Sequence, residues 1–505
     1  MHQTVARRAA GLSLIGLLSA CGGGGSDAES SASIELSAAT LAFTAQILDT
    51  VPQTQTITAT LGEDIVHLAV VHTGTAISSV AHSRAGNTAQ ITVTPAVPNE
   101  TGAGRFDGAI AITGYLCADA ACSTLAPAET RTVAVNYQIS PVVQLVAPYV
   151  AVAGTSATAT IRGGGFGGFA LRGVTFGGTP ATSFQLVNDG EITAVYPALA
   201  AGNHTVQLDV ADHQGAITST ATLVTVAPVD HVPAVLPYPS APTAIQSVVY
   251  DAERSAVLVA TDIAGGTILR YVFANGAWSA PTSQPVAQLQ DIALSTNGEQ
   301  VLALSRTGLT PLTAATLAPG TAVPAPSLAT GNFLKNLAVA NNNRAIITTG
   351  IAQSAATALY VYVVSIGSML QSNVSLNNST PGASYDAALI VFVQGDPSLT
   401  ADPPVHGYTA SSDTFGQAGI SVNQNGFAPV VDRNSGRTIL NGTRVYDSAL
   451  ALFGTLQSTP QGVAIRLDGQ RAYTYDAAAG GVLTFDITAN PDSDVYPPLA
   501  AAVPL

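Results

Sequence analysis

The feature that most constrains this 505-residue chain is a long-period repeat in its C-terminal half. Two short strand-like runs, separated by a polar turn, recur six times. They run Ser247 to Tyr250 with Ala256 to Val259, Ile292 to Leu294 with Val301 to Leu304, and Leu337 to Val339 with Ala345 to Ile347. Then come Ala383 to Tyr385 with Leu389 to Val391, Pro429 to Val431 with Thr438 to Leu440, and Val463 to Ile465 with Arg471 to Tyr473. The turn positions Ala252, Asn297, Asn342, Asp386, Asn434 and Asp468 are 45, 45, 44, 48 and 34 residues apart. A unit of this length holds one small antiparallel sheet that cannot bury both of its faces alone, so neighbouring units must stack. Third runs such as Ile268 to Phe273, Leu359 to Val363 and Gly481 to Phe485 add aromatic bulk to that packing.

Residues 229–505 therefore resemble the YVTN/WD40-like β-propellers of bacterial envelopes. Blades of about 40–45 residues imply six, or seven if residues 229–245 supply more than a closing strand. Recurrent Trp-Asp blade ends are missing, which leaves the subfamily open, and a β-solenoid is the alternative stacking.

Upstream, period-two alternation marks residues 32–139 as a β-sandwich without helix, through Leu41 to Thr44, Gln55 to Thr60, Gln90 to Thr94, Ala109 to Ile112 and Thr132 to Val135. Their order resembles bacterial Ig-like modules. Residues 141–228 carry a sharper likeness. Pro148, Ala153, Gly154, the run Ala159 to Phe166, then Val174 to Gly178, then Tyr196 to Ala198 and Gly202 to Val206 resemble an IPT/TIG domain. That resemblance implies an Ig-like fold and no catalytic residue. The expected class is thus all-β: two Ig-like β-sandwich domains followed by a six- or seven-bladed β-propeller.

The N-terminus gives an address. Arg7 and Arg8 precede a short apolar run, Gly11 to Leu18, far below the ~20 residues that span a bilayer. Leu18, Ser19, Ala20 and Cys21 resemble the lipobox of bacterial lipoproteins, which implies a signal peptide over 1–20 and a lipid on Cys21. An ordinary signal cut after Ala20 is the alternative. Residues 21–31 then hold the lipidated cysteine and a flexible Gly-rich tether. Stable anchoring needs at least two acyl chains. Gly22 in place of Asp, by the same resemblance, implies the outer membrane, at its periplasmic face or the cell surface. Removing Arg7 and Arg8 takes the formal charge from −14 to −16.

Two cysteines remain, Cys117 and Cys122. An exported chain sits in an oxidising compartment, so a local disulfide is expected; a zinc site lacks the further Cys or His ligands it needs.

Charged residues are only 10% of the chain, and the single lysine, Lys335, stands among 16 arginines. A net acidic chain without basic clusters excludes nucleic acid as a partner. The search for chemistry returns little. Gly163, Gly165 and Gly168 fit G-x-G-x-x-G, with Asp189 and Glu191 near the required distance, yet no helix has room to follow, so turn chemistry is the expected role. Acids in the propeller stand singly (Asp251, Asp291, Asp386, Asp432, Asp468), four of them marking repeat turns. The propeller's histidines are His231 and His406, the latter in a loop-like stretch after Asp402 and two prolines; His67, His72 and His82 lie in the first domain. Asp492 and Asp494 resemble half a calcium site, but the spaced oxygen ligands of a loop motif are missing, so a solvated tail is the expected role and calcium the alternative. No cofactor and no metal site is expected. The preferred reading is a noncatalytic envelope lipoprotein whose Ig-like modules form a stalk presenting the propeller to an unknown protein or glycan ligand. An extracytoplasmic propeller enzyme (hydrolase, lactonase or lyase) and an envelope-assembly scaffold are the alternatives. The enzyme requires carboxylates, His or Arg converging on the propeller axis.

Overall fold

The computed structural model describes residues 32–503 apart from 212, 214–215, 228–234, 327, 329, 352–357, 377, 396–401, 423–426, 433–435, 467 and 492–493. Cys21, with the whole leader and tether, lies outside the described residues, as do His231, Asn434 and Asp492. Two compact units divide the chain. One takes the sequence to Phe43, Pro52–Ala96 and Phe106–Tyr137; the other takes Thr44–Val51, Val97–Arg105 and Gln138–Leu505.

The first unit is built on two four-stranded sheets. One orders its strands Ile34–Leu36, Gln55–Leu61, Thr88–Pro95 and Ile77–Ala85; the other Thr40–Gln46, Leu125–Ser140, Gly104–Cys117 and His67–Gly74. Alternation places Ile57, Ala59, Ile91, Val93, Ile110, Ile112, Val133 and Val135 in the interior, all fully buried. Phe43 and Tyr137 meet edge to face at 6.1 Å. The sequence reading missed Ile34–Leu36 and Ile77–Ala85 as strands, whereas His67–Gly74 is the strand on which the spacing of His67 and His72 puts them on opposite faces. It also missed one turn of helix, Pro98–Thr101, which in the second unit begins on a proline whose fixed φ suits a first helical residue. The sulfurs of Cys117 and Cys122 are bonded, closing the connection between the long strands Gly104–Cys117 and Leu125–Ser140.

In the second unit, residues 142–226 form a five-stranded and a four-stranded sheet around Ile161, Val174, Phe176, Ile192, Tyr196, Val206, Leu208 and Leu223. After it come six sheets among the described residues, each built on an antiparallel meander whose first three strands follow chain order.

The side chains of the middle strands explain the stacking. In Gln300–Ser305, Val301 and Ala303 pack with Leu258, Ala260 and Ile268 of the preceding sheet. On the other face, Leu302 and Leu304 pack with Val339, Ile347, Tyr360 and Tyr362 of the following one. Ile346 and Leu359 then meet Ile390 and Phe392, Val391 and Val393 meet Val431 and Leu440, and Ile439 and Val445 meet Ala472 and Phe485. A strand buried on both faces reads as a continuous apolar run, which is why these strands showed no alternation in the sequence. Face-to-face stacking of successive meanders, innermost strand beside innermost strand, is the propeller arrangement. The C-terminal tail adds to it: Val495–Tyr496 pairs in parallel with Leu452–Leu456, and Val503 bridges to Val482 of the last sheet.

Candidate functional site: a roofed cavity at the inner-strand ends

Each innermost strand ends in a tight turn into the second strand, and these turns collect at one end of the stack. Ser295 N donates to Gln300 O at 2.8 Å, and the same bond recurs from Ser384 to Leu389, Asp432 to Arg437 and Arg466 to Arg471. Side chains reinforce it. Ser295 Oγ donates to Asn297 Oδ1 and accepts from Gln300 N; one repeat period later but one, Ser384 Oγ donates to Asp386 Oδ1 and accepts from Leu389 N. Asn297, Asp386 and Asp468 accept from the backbone N–H two residues on and are Asx turn devices, whereas Asn342 Nδ2 donates to Tyr408 Oη and Ala410 O.

The IPT/TIG-like sandwich lies over these turns. Its segment Pro148 to Val152 runs beside Val224–Val226, with Val150–Val152 in parallel register to that strand. Tyr149 rests against Gly298 so closely that a Cβ there would lie 2.1 Å from the ring. Burial, with Asp251 and Glu253 nearby, raises the Tyr149 hydroxyl above its ordinary pKa and keeps it neutral. The Tyr385 hydroxyl donates to Val150 O at 3.4 Å. A buried ion pair completes the seam. Arg162 Nη1 stands 3.0 Å from Glu191 Oε2, while Arg162 Nε donates to Asn341 Oδ1 at 2.8 Å and Asn341 Nδ2 donates to Asp386 O at 2.9 Å. Desolvation pulls the Arg162 pKa down, and Glu191 opposes that pull. Nearby, Arg254 Nη1 lies 3.0 Å from both Asp251 and Glu253 and donates to Gly298 O.

Between roof and turns is a cavity of about 500 Å³. Tyr149, Val150, Tyr250, Leu294, Val339 and Tyr385 make most of its apolar wall. Asp386 is the lone carboxylate of the lining, which among the described residues has no histidine, arginine or lysine. Asp386 Oδ1 already accepts from Ser384 Oγ and Ala388 N, and Thr296 Oγ1 donates to Ala340 O. Asp386 Oδ1 thus serves its own turn, and Thr296 joins the next sheet.

The residues singled out from the sequence fall elsewhere. Gly163 lies at a strand end, Gly165 is the left-handed residue that follows it, and Gly168 closes a 3₁₀ turn that leads within three residues into strand Leu171–Phe176. Asp189 Oδ2 and Oδ1 accept from Gly165 N and Gly167 N, and Glu191 pairs with Arg162, so both acids serve the sandwich itself. His406, expected in a loop, sits in strand Pro404–Thr409. Pro404 occupies the irregular first position of that strand, where no ladder N–H is required. Asp291 differs from the other single acids. It stands inside a strand, buried, with Oδ1 accepting from Ile292 N and Oδ2 from Leu337 N of the next sheet. Burial raises its pKa to about 6. Lys335 donates to Asn378 Oδ1 at 2.7 Å, and desolvation lowers its pKa. His67 and His72 lie on one strand, and Asp494 N donates to Pro491 O.

Sequence reasoning missed the cavity tyrosines. The signal available was an aromatic at the close of an inner strand, repeated at Tyr250 and Tyr385 directly before an acid.

A family profile described as the IPT/TIG domain matches residues 141–226. No curated protein matches the chain. Solved structures similar to it include Kluyveromyces lactis Hsv2 (TM-score 0.37, 11% identity, 50% of this chain and 76% of that one). U3-55K matches with TM-score 0.38 and 12% identity over 54% of this chain and 84% of its own. An oligogalacturonate lyase in complex with manganese matches with TM-score 0.36 and 11% identity over 48% and 74%. At such scores the propeller assignment rests on the stacked sheets themselves.

Proposed function

We propose that this chain is a noncatalytic binding protein of the bacterial envelope, attached to the outer membrane by a lipid on Cys21, which uses its propeller to hold a protein or glycan ligand. The observation that supports a binding role is the lining of the inner-strand ends. Acid–base or metal chemistry needs several titratable or ligating groups within reach of one reacting atom. The cavity there offers one carboxylate, and its Oδ1 is already held by a turn. The sandwich 141–226 is no free stalk segment in this reading: it packs on the propeller and closes one end of it, which directs ligands to the remaining exposed loops.

The anchor is tested by growth with an alkyne-tagged fatty acid followed by envelope fractionation. The wild-type chain is expected to carry the label and to sediment with outer membranes, and Cys21→Ala to lose both. A Cys21→Ala chain that stays in the membrane fraction overturns the lipoprotein assignment. Affinity capture from envelope fractions, with the exposed loops as bait, then identifies the ligand.

A further inference from the structure

The roofed cavity is a binding site in its own right. At about 500 Å³ it falls within the range of small-molecule pockets, which are concave, mostly apolar and largely preformed. Its floor is made by inner-strand ends and their turns from four consecutive sheets, at Ala252, Thr296, Val339 and Ala387, and its roof by Tyr149, Val150 and Val152. A folded protein cannot enter beneath that roof. A glycan would need several free donors and acceptors converging on its hydroxyls, whereas the wall presents tyrosine rings, Leu294 and Val339. Several polar positions are tied down: Ser295 by its own turn, Thr296 by Ala340 O of the next sheet, Tyr385 by Val150 O, and Asp386 Oδ1 by Ser384 and Ala388. An anion finds no counter-ion and meets Asp386; a cation meets that single carboxylate, whose Oδ1 is already held by Ser384 Oγ and Ala388 N.

We infer that the cavity takes a small, uncharged, predominantly apolar molecule, held by contact with Tyr149, Tyr250, Tyr385, Leu294 and Val339. This inference rests on the binding reading above, but on a surface different from the exposed loops.

The probe is N-phenyl-1-naphthylamine, neutral and fluorescent in apolar surroundings. It is titrated into the chain expressed without residues 1–21, so that neither lipid nor detergent competes. One saturable site per chain is expected. Leu294→Trp and Ala252→Leu, which fill the cavity from two different sheets, are each expected to weaken binding by about tenfold or more. Val71→Trp, at an exposed position of the first unit, leaves it unchanged. Circular dichroism melts of every variant establish that the fold is intact, and the two fillings act from different sheets, so one misfolded variant leaves the other to decide. With the probe bound, hydrogen exchange is expected to slow at 149–152 and 385–387. Non-saturable binding, or binding by both filled variants within about twofold of the parent, overturns the site. That result leaves fatty-acid labelling at Cys21 and capture by the exposed loops untouched, so the two failures are distinguishable.

Discussion

A single buried carboxylate shows what one residue does in this architecture. Asp291 occupies the irregular point of strand Leu289–Leu294 and accepts backbone N–H groups from its own strand and from the next sheet, with Ser247 and Asn336 as further donors. It is a clamp between three neighbouring sheets. Burial raises its pKa from 3.8 to about 6, so the folded state holds the proton more tightly than the unfolded chain. The contribution of this group to stability is therefore fully present below pH 3.8 and is lost as pH rises through 6. A difference of 6 minus 3.8 corresponds to about 3 kcal/mol. Asp291→Asn keeps the shape but turns an N–H toward a backbone donor and costs about 1–3 kcal/mol in acid. Urea melts at pH 4 and pH 7 are expected to show the gap between wild type and variant shrinking as pH rises. A gap independent of pH would remove this role. From the sequence Asp291 was one more isolated acid, because the strands that bury it are about one repeat away on either side.

At the scale of elements, the strands follow their side-chain pattern and the glycines follow close approach. Gly163 faces Val142 so tightly that a Cβ would lie 1.8 Å from the Val142 carbonyl oxygen, whereas a Cβ on Gly167 meets only Asp189 Oδ1 at 3.1 Å. Gly165 takes a left-handed φ of 75°, which supplies the reversal before the 3₁₀ turn. Gly163→Ala is expected to destabilise by about 3 kcal/mol or more, and Gly167→Ala by less than about 1 kcal/mol. Chemical denaturation of the two variants side by side checks the ordering, and equal losses would refute it. The turn reading of this glycine run was available from spacing alone, since no helix could follow. The strand at His406 was not, because two adjacent prolines look like a loop until the partner strand Leu389–Val393 is in place.

Across the second unit, the seam between sandwich and propeller depends on Arg162. Its pair with Glu191 is about nine-tenths buried on both sides, and the guanidinium also reaches Asn341 of the propeller. Arg162→Ala strands a buried carboxylate and is expected to lower stability by about 3 kcal/mol. Joining Arg162→Met to Glu191→Leu removes both charges, and most of the loss is expected to return. Denaturant melts of the three chains decide this, and a double variant no better than Arg162→Ala contradicts the electrostatic account. The stacking of successive repeats was legible in the sequence because each repeat carries its own apolar strands. The role of the sandwich as a roof was not legible, since Arg162 and Asn341 are 179 residues apart and neither belongs to a motif. By itself the sequence determined the all-β class, the repeat with its turns, and the IPT/TIG-like segment, since these rest on patterns within a few tens of residues. Only the tertiary structure decided that Tyr149, Tyr250 and Tyr385 enclose one cavity and that Asp291 is a buried clamp. Burial and convergence are set by which distant surfaces pack together, and short-range periodicity carries no record of that packing.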